Sequence, residues 1–310
     1  MIRFGLCCLF REEAIKFRRT TVKYLKTLPL DERLRYLAAI CRHNAQSLFE
    51  ALQFCRRHAI GDFRINSQIL PVKTHPEVKY RIEELPGYDQ IVDTFKDCGA
   101  YARRHGLRTT FHPDQFIVLS SPNKEVVRRA IADLAYHAEV AEWVHADVIN
   151  IHAGGAYGDK AATLRRLAQA IMGLPEAIRS RLTLENDDRV YTPQDLLPIC
   201  RDTGIPLVYD VHHHRCLPDG QGVAKITSRA LSTWNREPLF HLSSPLTPWG
   251  TGNPRNHHDF IDPADFPQSW QGLDITVEVE AKAKEVAVLK LKGEIGSRAK
   301  IKPNKPQRQS

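Results

Sequence analysis

The sequence predicts a (β/α)8 barrel, and three observations carry the prediction. Eight short β-branched or apolar runs recur along the chain; each is followed by Gly, Pro, Ser, Asn or charged residues and then by a helical candidate; and 310 residues fall within the range of one such barrel, which typically needs about 250. The runs are Ile2–Cys8, Asp62–Asn66, Arg108–Phe111, Asp147–Ile151, Leu182–Leu184, Pro206–Tyr209, Pro238–Phe240 and Asp274–Val279. Short apolar runs alternating with longer segments of helical periodicity, such as Asp31–His58, Tyr88–His105 and Lys124–Val144, are the pattern of a parallel sheet built from βα units. Pro122-Asn123 and Thr192-Pro193 read as helix starts, and Gly106 and Gly204 as stops. No short repeat and no Gly/Pro/Ser-rich linker divides the chain, so residues 1–293 are expected to form a single domain. From Lys290 onward basic residues face only Glu294, and residues 294–310 read as a disordered, solvated tail.

Composition narrows the class. With 42% hydrophobic and 26% charged residues, the chain can bury a sizeable core, which excludes a mainly disordered or fibrous protein. The opening apolar run Phe4–Phe10 is closed by Arg11, Glu12 and Glu13, has no small-residue cleavage site, and is far shorter than the ~20 residues of a membrane span. A cytoplasmic protein is therefore expected. Seven cysteines, an odd number without a CxxC pair, argue against a disulfide framework and against a thiolate zinc site. The net charge of +8 permits a polyanionic partner without proving one.

Strand parity locates the chemistry. Side chains of a barrel strand alternate between the interior and the helix-packed exterior, and active groups collect at the carboxyl ends of the strands. In Leu182-Thr183-Leu184-Glu185 the leucines share one face and Thr183 and Glu185 the other. The same parity turns Asn150 and His152 inward together, pairs Val208 with Asp210 and Leu239 with His241, and puts Thr276, Glu278 and Glu280 opposite two valines. Six of the eight predicted strands end in His112, His152, Glu185, Asp210, His241 or Glu280, whereas 14 histidines and 36 acidic residues among 310 put such a residue at about one position in six. Imidazoles and carboxylates converging on one mouth leave costly buried charge unless a cation sits among them. A divalent metal cluster supplies it, and mixed N and O donors suit manganese, zinc or iron better than calcium. His212, His213, His214, His257, His258 and Asp259 crowd the adjoining loops, consistent with more than one ion. Paired ions assist the hydrolysis of a phosphodiester, and Glu185 is the candidate bridge between them.

The strings FRINSQILPVKTHP, FHPDQFIVLSSP, NIHAGGAYGDKA, RLTLENDD, VYDVHHHRC, FHLSSP, RNHHDFID and VEVEAKAKE resemble the UV-damage endonuclease family, UvdE or UvsE, from about Ile2 to Leu291. The resemblance implies a TIM barrel related to endonuclease IV type abasic-site nucleases, with two or three divalent ions. Manganese is the first choice, and zinc, cobalt or magnesium are alternatives. By motif, it implies that His112, His152 and Glu185 form one metal site, and that Glu185, Asp210, His241 and Glu280 form a second. His213 and His257 (taken over His258) would belong to a third, with His75 near the same mouth as an additional candidate. Glu185 and Glu280 take the catalytic assignment. Such enzymes nick double-stranded DNA immediately 5′ to cyclobutane dimers and 6-4 products, some also at abasic sites, leaving 3′-hydroxyl and 5′-phosphate ends. Gln115 and Phe116 hold the position that probes the distorted duplex, though loop packing is an alternative for Phe116, and Arg18 and Arg19, beside Lys16 and Lys23, are candidate phosphate contacts.

The chain departs from the family pattern at three positions. Leu6 and Phe116 stand where relatives often carry tyrosine, and Leu239 where they often carry a lysine that helps bind metal. Two other readings remain open at this point: a metal-dependent sugar isomerase barrel, and a damaged-DNA binder without catalysis.

Overall fold

In the computed structural model, backbone is described for residues 1–300 and side chains through Ile295. Eight strands, β1 (Ile2–Cys7), β2 (Asp62–Ile65), β3 (Arg108–Phe111), β4 (Val148–His152), β5 (Leu182–Glu185), β6 (Leu207–Asp210), β7 (Leu239–Leu242) and β8 (Ile275–Val279), pair in parallel in sequence order. β8 closes on β1 through five residue pairs from Ile2↔Ile275 to Leu6↔Val279, so the sheet has no edge. The helices are α1 (Val22–Leu25), α2 (Leu30–Arg57), α3 (Tyr88–Arg104), α4 (Lys124–Val144), α5 (Lys160–Met172), α6 (Glu176–Arg179), α7 (Pro193–Thr203), α8 (Val211–Cys216), α9 (Val223–Leu231) and α10 (Lys284–Lys300). This is the (β/α)8 TIM barrel expected, with strand ends within two residues of those the sequence predicts.

Helix ends follow their chemistry. The Asn123 side chain accepts from Glu125 N at the start of α4, and Thr192 and Asp195 close a reciprocal capping box ahead of Pro193 in α7. Gly204 ends α7 with φ 72°, a left-handed turn that costs glycine little. One expectation fails. Residues 294–300 continue α10 instead of forming a tail, because Val288 and Leu291 on the first turns are buried against the barrel and commit that helix to its packed face. Residues 301–310, the rest of the expected tail, lie outside the described residues.

The apolar outward faces of the strands pack under the helices; Leu6 is wholly buried in that layer, so the position carries no contact to a ligand. Inside the barrel, Val148, Val208 and Leu239 form a separate apolar plug beside Trp234. Below it, at the N-terminal end, Arg3 pairs with Glu237 at 2.8 Å and Arg108 with Asp147 at 2.8 Å. β1 carries Gly5 at an inward position because a Cβ there would strike the Asp62 carboxylate and crowd Glu278 at 3.0 Å. All seven cysteines are free, and no described helix is long and apolar enough to cross a membrane.

Candidate metal centre

The centre is built in layers. Within the barrel, Thr183 Oγ1 donates to Asn150 Oδ1 at 2.9 Å, and Asn150 Nδ2 donates to Glu185 Oε2 at 2.5 Å, which fixes the glutamate upright at the end of β5. Four imidazoles then converge on its carboxylate: His112 Nε2 and His152 Nε2 lie 2.9 and 3.9 Å from Oε2, and His241 Nδ1 and His213 Nδ1 lie 3.1 and 3.3 Å from Oε1. Asp210 ends β6 and caps α8 by accepting from His213 N at 2.7 Å, while Asn186 exchanges two hydrogen bonds with the Asp210 backbone. Glu280, one residue past β8, places Oε1 3.4 Å from His241 Nδ1 and Oε2 4.0 Å from His257 Nδ1.

Among the described residues, three triads have donor atoms close enough to share an ion: His112/His152/Glu185, His112/His241/Glu280 and Glu185/Asp210/His213. Glu185 belongs to two of them. The donor set fits a cation because His112 Nδ1, His152 Nδ1, Glu185 Oε1, Asp210 Oδ2 and His241 Nδ1 are buried without a hydrogen-bond partner. Orphaned acceptors and imidazoles crowded at one mouth are the arrangement a divalent ion satisfies.

The protonation of the bare site reflects the same crowding. Burial opposes the charge of Glu185, yet the imidazoles of His241, His152 and His112 hold its carboxyl well below the usual range. Burial likewise opposes the charge of His241, but Glu185 pushes it up to about 10, and His213 is raised, against burial, by Asp210 and Glu185. His152 instead goes down, chiefly through burial.

Other expected residues distribute as follows. His257 approaches Glu280 and meets His212 edge-on at 5.0 Å but joins none of the triads, and His258 is turned aside, its Nδ1 2.9 Å from Phe260 N. His75 also joins no triad; with Phe116, Gln68 and Tyr136 it lines a groove of about 480 Å³ next to the mouth. Gln115 is exposed and Phe116 is 78% exposed, so neither is packed into its loop. Arg18 and Arg19 are exposed on a loop whose backbone is pinned at Arg18 by Asn44 through bonds of 2.7 and 3.0 Å. Leu239 is sealed in the apolar plug one layer below His241.

Sequence reasoning missed Arg64 and Glu278, which lie directly beneath the mouth, and the supports Asn150 and Asn186. Parity had already placed Glu278 inward. Nothing marked Arg64, because an arginine in a four-residue strand reads as a solvated side chain.

Fold and site together define an α/β barrel whose C-terminal rim carries a candidate divalent-metal centre. Residues 2–308 match the model of the UV-endonuclease UvdE family, so the match extends beyond Leu291, where the resemblance in the quoted strings ends. The chain belongs to that family and is an endonuclease of the DNA-repair class. It is 34% identical to the UV DNA damage endonuclease of Bacillus velezensis over 315 residues, covering 96% of this chain and 95% of the relative. Among solved structures, it resembles SacUVDE with a TM-score of 0.86 and 27% identity, covering 97% of this chain and all of that one. Endonuclease IV from Thermus thermophilus shares the fold at a TM-score of 0.61 and 15% identity, covering 96% of this chain and 99% of that one.

Proposed function

We propose that this chain is a metal-dependent endonuclease that nicks double-stranded DNA immediately 5′ to cyclobutane dimers and 6-4 products, and also at abasic sites, leaving 3′-hydroxyl and 5′-phosphate ends. The observation that carries the reading is the Glu185 carboxylate, shared by two triads and met by four imidazoles at a rim flanked by exposed Phe116 and a basic loop. His112, His152 and Glu185 would hold one ion, and Glu185, Asp210, His241 and Glu280 a second, with His213 and His257 completing the rim; manganese suits this mixed imidazole and carboxylate set. A divalent ion held there would supply a water of lowered pKa and positive charge to offset that growing on a phosphodiester.

The chain's own groups do the rest. Asn150 holds Glu185 at one oxygen and leaves Oε1 toward the centre, and the Asp210 cap of α8 orients His213. Phe116, standing in solvent beside Gln115, has the shape and exposure to enter a base step that a lesion has already unstacked, where opening is cheapest. Arg18 and Arg19, with Lys16 and Lys23, face outward to meet phosphates.

The test is a duplex carrying one photodimer incubated with manganese, beside an abasic duplex. We expect a single nick 5′ to the dimer with a 3′-hydroxyl end, abolished by chelator. Tight binding with intact ends would leave only a damage binder, and turnover of free sugars an isomerase. With four to six phosphate contacts, log affinity should fall with log salt at a slope of about −4 to −5.

A further inference from the structure

One layer beneath the mouth, Arg64 from β2 and Glu278 from β8 are both buried, and neither belongs to a ligand triad. Glu278 accepts from Arg64 Nε at 2.5 Å and from Thr110 Oγ1 at 2.5 Å, and its Oε2 lies 3.0 Å from His241 Nε2. Arg64 spans further: Nη1 is 2.7 Å from Glu280 Oε1, and Nη2 pairs with Glu278. The two residues therefore touch His241 and Glu280 from below, on the side away from Glu185.

A carboxylate set against one nitrogen of an imidazole keeps the proton there and leaves the other nitrogen as a lone pair for a metal. With Nε2–H donating to Glu278, Nδ1, the nitrogen 3.1 Å from Glu185 Oε1, is the one left to offer its lone pair to an ion when one is bound. Arg64 Nη2 also lies 3.1 Å from His241 Nε2, but it already has the Glu278 carboxylate as acceptor, so that nitrogen is free to keep its proton. A guanidinium on Oε1 of Glu280 leaves Oε2, the oxygen nearer His257, free for the rim. The same guanidinium cancels the buried charge of Glu278, which would otherwise cost the fold dearly.

Resting on the metal reading above, we propose that Arg64 and Glu278 are positioning residues of the centre: Glu278 sets the tautomer of His241, and Arg64 aims Glu280 while balancing Glu278.

The experiment titrates manganese into the full chain stripped of metal, reading heat and bound ion per chain, with circular dichroism to establish folding. The variant Arg64→Met/Glu278→Gln removes both charges together. We expect it to bind one ion about 10- to 100-fold more weakly and the other as the wild type does, since groups behind ligands have effects of that size. Its kcat for incision should fall at unchanged KM for DNA and recover in part with added manganese. Arg64→Lys, which keeps the charge but loses the fork, should show a smaller loss at the same ion. A folded double variant with wild-type affinity at every ion overturns the proposal; if that variant does not fold, wild-type affinity in Arg64→Lys does so. A wild-type chain that takes up no ion overturns the metal centre itself, and that is seen before any variant is made.

Discussion

At the N-terminal end of the barrel, charge is closed by charge: Arg3 meets Glu237, Arg108 meets Asp147, and Val148, Val208 and Leu239 seal the interior above them. At the C-terminal end, Glu185 and Asp210 face imidazoles, and one oxygen of each, Glu185 Oε1 and Asp210 Oδ2, is buried without a hydrogen bond. The same residue types thus serve two purposes. Where a covalently attached cation completes the pair, the end is structural; where Glu185 and Asp210 meet only imidazoles, the cluster is a candidate site for an ion from solution. Asp62 lies between the two regimes. Both its oxygens lack hydrogen-bond partners, and burial, seconded by Glu278, pushes its carboxyl well above the usual range, which favours the uncharged form.

If the two ends are separable in this way, substitutions at them should fail differently. The largest effect belongs to Glu185→Gln, which removes the shared member of two triads; several kcal/mol of transition-state stabilisation corresponds to a loss of at least about 10³ in kcat. Incision of a photodimer duplex measures it, and the folded fraction should stay unchanged. Next is Leu239→Ala in the apolar plug, expected to cost about 3 kcal/mol of stability by denaturant unfolding while incision per folded molecule persists. Loss of incision in that folded variant would merge the two ends.

Asp62→Asn sharpens the middle case. Because the folded carboxyl titrates above its unfolded value of about 3.9, the native state binds the extra proton, and stability is full below that pH. It drains away as pH climbs toward the raised folded value, by up to about 1.4 kcal/mol per unit. The variant should abolish that slope in unfolding midpoints measured from pH 4 to 8. Smallest is Glu237→Gln at the structural end. Arg3 and Thr276 hold this half-exposed carboxyl low against the effect of burial, so its contribution is present above the ordinary carboxylate value and lost as pH falls through the depressed one. Solvent screening limits it to about 0.5 kcal/mol at neutral pH, measurable as a small shift in Tm.

Much of the centre was legible because parity needs only local sequence. Thr183 with Glu185, and Asn150 with His152, could be assigned inward from alternation alone, and the structure joins Thr183, Asn150 and Glu185 in one hydrogen-bonded chain. The loops were less legible. His75, His212 and His257 stand outside any strand, where no period dictates direction, and none of them joins a triad. The helical course of residues 294–300 is not legible in their own basic composition, because it follows from the buried apolar positions Val288 and Leu291 just before them.

By itself, then, the order of residues determined the eight βα units, the inward faces of their strands and the residue types at each strand end, since these follow from steric alternation over a few neighbours. Closure of the barrel alone decided that Arg64 meets Glu278 across 214 positions and His241 across 177. Contacts that distant carry no local period, and they exist only once the first strand has found the last.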